Sequence, residues 1–243
     1  MDANKRIDLS LSVVIPVHNE AGIIRQFIDD IYQKCLNQLF DYELIIVEDG
    51  STDGTREILL SSRDKHPNLK LSFEDRKLGY GSAAKKGIST ATKEWVLLMD
   101  GDGQIEPADV NILLSSASDY DIVLAEKFPR CDPMFRIILS RGFDVLTDMI
   151  LGVSIRDINF GFRLMRNSVA QKIVPACGCL GDIFNAEVAI RFIYGGYRLT
   201  QMKVRHRKRL LGGSQGVPGY KVISTSWRAY MGLFSLKKEL TKQ

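Results

Sequence analysis

The chain has 243 residues, room for one large domain or two small ones. With 45% hydrophobic and 26% charged residues it has an ordinary globular composition, which excludes a disordered, collagenous or coiled-coil chain. Its formal charge of +4 is unevenly spread: residues 1–125 hold 13 Lys+Arg against 21 Asp+Glu, a net of −8, and residues 126–243 hold 20 against 8, a net of +12. Such a basic half, in which arginine leads lysine, is suited to an anionic partner such as a phosphorylated substrate, an acidic lipid or nucleic acid.

In chain order, residues 10–16 (SLSVVIP) are a β-branched apolar run closed by Pro16, and they predict a first strand. Ile23, Ile24, Phe27, Ile31 and Leu36 then fall on one helical face. YELIIVED (42–49) predicts a second buried strand, and Asp53 is the expected N-cap of a helix carrying Ile58 and Leu59. LKLSF (69–73) predicts a third strand, the alanines near Ala83 a third helix, WVLLM (95–99) a fourth strand and DIVLA (121–125) a fifth. Continuous apolar strands separated by helices imply an α/β fold with a mostly parallel sheet covered on both faces. In such sheets ligands bind beyond the carboxyl ends of the strands.

Those ends are acidic. Pro16-Val17-His18-Asn19-Glu20 follows the first strand, Glu48-Asp49 closes the second, and Asp100-Gly101-Asp102-Gly103-Gln104 follows the fourth. Two carboxylates one glycine apart can turn toward one point, and hard oxygen donors of this kind suit Mg²⁺ or Mn²⁺ shared with substrate phosphates. Gly79-Tyr80-Gly81-Ser82-Ala83-Ala84 also satisfies the GxGxxA dinucleotide pattern, but the charged segment Glu74-Asp75-Arg76-Lys77 separates it from its strand, against that reading. Cys35, Cys131, Cys177 and Cys179 form neither a disulfide framework nor a zinc spacing, so reduced thiols are expected.

Taken in order, VVIPVHNE, LIIVEDGSTDGT, GYGSAAKKG and VLLMDGDGQIEP resemble the family 2 glycosyltransferases of the GT-A fold. The resemblance implies a Rossmann-like mostly parallel sheet in one catalytic domain over 1–243, with a nucleotide-sugar-binding half (1–125) and an acceptor-binding half (126–243). It implies a GDP- or UDP-sugar donor with a divalent metal, Mg²⁺ or Mn²⁺, on its diphosphate. Pro16, His18, Glu20 and Asp49 would line the nucleoside pocket, and Asp102, joined by Asp100 and Gln104, would approach the metal. The sequence departs from the pattern at Lys77, where many relatives carry asparagine.

The second half narrows the resemblance. RIILSRG (136–142), DINFGFR (157–163) and RLLGGS (209–214) together look like the polyprenyl-phosphate glycosyltransferases, the group that includes the dolichol-phosphate mannose synthases. The resemblance implies an acceptor phosphate held by Arg136 and Ser140, with Lys127 at the position of a further arginine and Arg209 closing over the phosphates; Asp102, Arg136 and Arg209 are thus the expected catalytic set. Transfer to a phosphomonoester needs cations more than a strong base, since its second pKa is about 6. Asp157 and Glu187 would be the bases for a hydroxyl acceptor, the alternative within the family; each is more simply read as the partner of a neighbouring arginine.

No uninterrupted apolar run approaches the ~18 to 20 residues that span a bilayer, and the polar MDANKRIDLS start lacks the apolar stretch of a signal peptide. The expected location is the cytoplasm, peripheral on the membrane face turned toward it. Residues 143–155 and 217–238 are amphipathic, a pattern that more often marks packed core than membrane interface, the basic flanks of 217–238 bringing that segment closer to an interfacial reading; a membrane-embedded partner subunit is the other route to a lipid acceptor. No nucleic-acid partner is expected.

Overall fold

The computed structural model describes residues 7–208 and 222–242. Its strands are β1 (Ile7–Val17), β2 (Leu39–Asp49), β3 (Leu69–Glu74), β4 (Trp95–Leu98), β5 (Ile122–Lys127), β6 (Arg163–Arg166) and β7 (Leu199–Val204). Its helices are α1 (Ile24–Lys34), α2 (Thr55–Arg63), α3 (Tyr80–Thr90), α4 (Val110–Leu114), α5 (Met134–Leu151), α6 (Asn167–Ile173), α7 (Phe184–Tyr194) and α8 (Val222–Leu240). The strands form one sheet in the order β3-β2-β1-β4-β6-β5-β7. All adjacent pairs are parallel except those of β6, which runs antiparallel to both β4 and β5. The five expected strands are present; β6 and β7 are too short and too mixed in polarity to stand out from the sequence.

Alternation along the strands builds two cores. Leu11, Val13, Ile15, Leu44 and Ile46 face α1, α2 and α4, while Val14, Ile45, Val47, Val96 and Leu98 face α3, α6, α7 and α8. Helix α1 buries Ile24, Phe27, Ile28 and Ile31 on its sheet side but ends at Lys34, so Leu36 is buried from a following 3-10 turn instead. The expected cap at Asp53 is also corrected. Gly54, at φ 91°, is the residue that precedes α2, and no side chain caps that helix. The Asp53 carboxylate instead accepts from Thr55 N at 3.1 Å and Ala21 N at 3.0 Å, which ties the exit of β1 to the start of α2.

Strands β1 to β3 step outward on one side, and β4 returns to pair with β1 on the other, so the strand order reverses between β1 and β4. That reversal opens the crevice where ligands of doubly wound sheets bind. Because β6 is antiparallel, its amino end lies on the same rim as the carboxyl ends of the other strands. The segment 157–162 therefore joins the rim loops that follow β1, β2, β4, β5 and β7. All four cysteines are free thiols, with Cys35 and Cys177 buried.

Helix α3 lies close on the sheet at Gly87, where a side chain would run into Val14 and come within 3.2 Å of Val47 Cγ2. Gly87→Ala gains about 1 kcal/mol of helix propensity but overpacks this contact at a cost of about 1–3 kcal/mol. A lower urea midpoint is expected; an unchanged or raised midpoint contradicts the close packing.

Candidate active site

Strand β4 delivers Asp100 to the crevice. Met99 N bonds to Val14 O at 3.0 Å, so the chain leaves the sheet beside Pro16 and turns back across the end of β1. Gly101 permits that turn: a β-carbon there would stand 3.0 Å from Ile15 Cγ2 and 3.2 Å from Val17 Cγ2. The Asp102 carboxylate accepts from Gln104 N at 3.1 Å, and Gly103 takes φ 73° between them.

Asp100 is held against the amino end of β6. Oδ1 of its carboxylate is buried and has no hydrogen-bond partner among the described residues. Tyr80 Oη lies beside this carboxylate, and Asn185 Nδ2 donates to Tyr80 Oη at 3.1 Å. Burial first, then the neighbouring Asp102 charge, pushes Asp100 up to about 6. Gly161 makes the approach possible, because a β-carbon there would overlap the Asp100 carboxylate and lie 2.6 Å from Tyr80 Oη. Beneath them Arg163 is almost wholly buried, donating to Asn185 O, to Ile158 O at 3.2 Å and to Phe160 O at 2.6 Å. Burial lowers it to about 10, so it remains a cation at neutral pH facing Asp100.

A divalent ion fits this arrangement. A carboxylate with an orphaned buried oxygen, raised by a second carboxylate two residues on, has the chemistry of a hard-cation site awaiting charge. Gln104 donates through its amide nitrogen to Arg207 O at 3.3 Å, so any role toward a metal rests on its amide oxygen alone. Among the described residues no group of three His, Cys, Asp or Glu side chains gathers into a closed protein cage.

The expected nucleoside residues cluster on the other side of β1. Pro16 is buried within the strand opposite Val47. His18 Nδ1 lies 2.8 Å from Asp49 O, which makes that nitrogen the donor. The Asp49 carboxylate accepts from Leu78 N at 2.7 Å and Gly79 N at 2.9 Å, fixing the glycine-rich approach to α3. Glu20 opens α1 through its carbonyl, which accepts from Ile23 N and Ile24 N, while its own N–H donates to Thr55 Oγ1 at 2.9 Å.

Across the crevice the basic residues meet. Lys127 Nζ and Arg130 Nε both donate to Asp132 Oδ2, at 3.0 and 2.9 Å. Burial works against the Asp132 charge, but the two cations outweigh it and hold this carboxyl below its ordinary range. Arg130 also pairs with Asp157, and Lys127 lies 4.8 Å from the Phe160 ring centroid. Helix α5 adds Ser140, whose Oγ accepts from Arg130 at 3.3 Å, and Arg136, which stacks 5.9 Å from the Phe135 ring. Asp157, at φ 50°, receives Lys127 N on Oδ2 and donates its own N–H to Asp144 on α5 at 3.0 Å. Arg209 and the rest of its motif lie outside the described residues.

Asp157 and Glu187 are both arginine partners, as expected. Glu187 accepts from Gly178 N, Leu180 N and Arg191 and is buried. Sequence reasoning missed Tyr80, Arg130, Gly161, Arg163, Asn185 and His206 as site residues. The glycine and arginine of Gly161-Phe162-Arg163 were the available signal; nothing local marks Asn185 or His206.

The sequence model of Glycosyl transferase family 2 matches residues 12–174. The chain belongs to this family. Among curated members, it is 30% identical over 207 residues to a dolichyl-phosphate beta-glucosyltransferase of Dictyostelium discoideum, covering 74% of this chain and 61% of that one. It is 27% identical over 207 residues to an undecaprenyl-phosphate 4-deoxy-4-formamido-L-arabinose transferase of Yersinia pestis, covering 84% and 62%. The chain thus spans about three fifths of the length of these relatives. Of solved structures, glucosyl-3-phosphoglycerate synthase from Mycobacterium tuberculosis with Mn²⁺, UDP and glucosyl-3-phosphoglycerate matches 94% of this chain and 80% of its own at TM-score 0.70 and 16% identity. A mannosyltransferase from Pyrobaculum calidifontis with GDP-Man and Mn²⁺ matches 96% and 70% at TM-score 0.65 and 18% identity. The fold is therefore that of the GT-A glycosyltransferases.

His206 supplies a pH test of this packing. It lies under the cation cluster, accepts from Cys131 N at 3.2 Å, and is lowered to about 4 by burial and then by Lys127. The unfolded chain takes up this proton first, so stability is full above about pH 6.5 and falls as pH drops toward 4, by about 3 kcal/mol for this group. His206→Gln should lose less stability than the native protein between pH 7 and pH 4.5 in urea unfolding. Equal losses contradict a buried neutral imidazole.

Proposed function

We propose that this chain is an inverting, metal-dependent glycosyltransferase that moves one sugar from a nucleotide sugar to a polyprenyl phosphate. One observation carries the reading: Asp100, whose buried Oδ1 has no partner among the described residues, lies close enough to Lys127 to feel its charge, and Lys127 is gathered with Arg130 and Ser140 at the same rim. The Dictyostelium and Yersinia relatives, a dolichyl-phosphate and an undecaprenyl-phosphate sugar transferase, support the acceptor class. The Mn²⁺ and nucleotide ligands of the two neighbours support the donor class.

In this reading residues 1–125 bind the donor and 126–243 the acceptor. Pro16, His18, Glu20 and Asp49 flank the nucleoside, while Asp100 and Asp102, with the amide oxygen of Gln104, hold Mg²⁺ or Mn²⁺ beside the diphosphate. When held by these residues, the ion would supply positive charge for the leaving nucleoside diphosphate. Arg136, Ser140, Lys127 and Arg209 hold the acceptor phosphate, one of whose oxygens attacks the anomeric carbon as its bond to the diphosphate breaks, inverting configuration. No side-chain base is required, since the phosphate is already anionic. That agrees with the engagement of both candidate bases: Asp157 is paired with Arg130 and Glu187 with Arg191.

The outer faces of α5 and α8 support contact with a cytoplasmic membrane surface. Met134, Ile138, Val145 and Met149 form one exposed stripe on α5, with Ile138 64% and Met149 78% exposed. Helix α5 begins nine residues before the expected amphipathic stretch and ends before its last four. Phe143, Leu146 and Ile150 face the core, so the apolar residues are divided between packing and surface. On α8, Trp227, Met231 and Phe234 are exposed beside Lys237 and Lys238. A groove of about 480 Å³ lined by Leu180, Ile183, Trp227 and Met231 opens along this side. No helix among the described residues is long and apolar enough to cross a membrane. Basic residues at about 1 kcal/mol each and inserted aromatic surface would hold such a face to anionic lipid.

With Mn²⁺, a nucleotide sugar and a short polyprenyl phosphate, the native protein should transfer the sugar and Asp102→Ala should not. Arg136→Ala should raise the acceptor KM by about tenfold to a hundredfold, the scale of one charge-assisted contact, with donor KM little changed. The native protein should pellet with anionic liposomes, and Ile138→Glu with Trp227→Glu should pellet less. Turnover with a hydroxyl acceptor alone contradicts the acceptor assignment. Equal pelleting contradicts the membrane face, and pelleting by neither protein favours a membrane-embedded partner.

A further inference from the structure

Arg130 occupies a position at which the family resemblance assigns no role. Its side chain is only 13% exposed and is held by three separate elements. Nε donates to Asp132 just after β5, and one terminal nitrogen reaches both Asp157, before β6, and Ser140 Oγ on α5 at 3.3 Å. Asp157 is itself secured by Lys127 N at 3.1 Å and, through its own N–H, by Asp144 at 3.0 Å. The guanidinium is thus built into the site and does not sweep across it.

The direction of the Ser140 bond matters. Arginine has donors and no acceptor, so Ser140 Oγ must receive from Arg130, and the hydroxyl proton cannot be returned to it. That proton is left to point at another acceptor. Ser140 lies one helical turn from Arg136, and the two share a face of α5. Lys127 cannot take over the task. Its ammonium is a point charge already 3.0 Å from Asp132, without the planar fork that reaches two oxygens at once.

Charge divides the labour between the two arginines. Lys127 and Arg130 are matched by Asp132 and Asp157, so these four residues together are neutral. Among the described residues Arg136 makes no ion pair, and its guanidinium meets only the Phe135 ring. Arg136 therefore brings net positive charge to an incoming anion, while Arg130 brings geometry.

We propose that Arg130 is the positioning residue of the acceptor site, orienting the Ser140 hydroxyl to donate to the phosphate of a phosphomonoester and supplying the planar cation that Lys127 lacks. The proposal rests on the reading of the acceptor as a polyprenyl phosphate. It assigns Ser140 its donor role through Arg130, so the two residues act as one unit.

Calorimetric titration of the full chain with farnesyl phosphate tests it, with farnesol as the uncharged control and with UDP or GDP plus Mn²⁺ reporting the donor site. Arg130→Lys keeps the charge against Asp132 and loses the fork, which protects the fold better than truncation. Arg130→Lys and Ser140→Ala should each weaken farnesyl phosphate binding about tenfold, the scale of one hydrogen bond to a charged group. The double variant should be no weaker than about the weaker single one, and nucleotide affinity should hold in all three. Losses that multiply, an Arg130→Lys protein that binds like the native one, or an equal fall in nucleotide affinity each overturn the proposal while leaving the acceptor class standing. Failure of the native protein to bind farnesyl phosphate removes the acceptor reading, and this proposal with it.

Discussion

The close approach of Asp100 to Gly161 is the constraint on which the rest of the crevice depends. One carboxylate has to lie where the chain enters β6, within reach of Tyr80 and above the buried Arg163, and only a residue without a side chain leaves it that space. The cost is evident in an oxygen that is buried and, among the described residues, unpartnered. Leaving such a group unpaired costs about 1–3 kcal/mol or more for a charged one, and that penalty is offset by the surrounding fold. In the proposed function that oxygen is left for a divalent cation.

The antiparallel β6 is what makes this geometry available. Inserted between β4 and β5, it brings its amino end, with the 157–162 segment, to the rim that the other strands reach with their carboxyl ends. The acidic loop after β4 and the basic loops after β5 thereby meet over one short strand. Asp157 and Asp144 tie that junction to α5, where burial pushes Asp144 up to about 6. Charge is segregated along the chain and brought together by the fold, which suits the two phosphate-bearing substrates of the proposed function.

Much of this was legible in the sequence, and the remainder has physical reasons for being hidden. Buried parallel strands read as apolar runs, so β1, β2, β4 and β5 were visible, and turn-forming carboxylates at their ends located the crevice. Strands β6 and β7 carry Arg163, Arg166, Gln201 and Lys203, and that polarity masks them. The cap expected at Asp53 failed by one residue because Gly54 supplies a left-handed turn and frees the carboxylate to bridge to Ala21. Arg130 and His206 were missed since each acts through partners distant in the chain: Asp157 and Ser140 for the first, Cys131 for the second. The amphipathic pattern on α5 was seen, but periodicity could not say which apolar residues pack inward; the structure turns Phe143 and Leu146 in and Met149 out.

In the proposed function Asp100 and Asp102 hold a cation only because Gly161 leaves room for the Asp100 carboxylate. Mn²⁺ binding, read from the loss of the free-ion EPR signal with UDP or GDP present, tests this without reference to turnover. The native protein should bind the ion, and Gly161→Ala, still folded by circular dichroism, should bind it at least tenfold more weakly because the added methyl displaces the Asp100 carboxylate. Native-like Mn²⁺ affinity in Gly161→Ala would contradict the account.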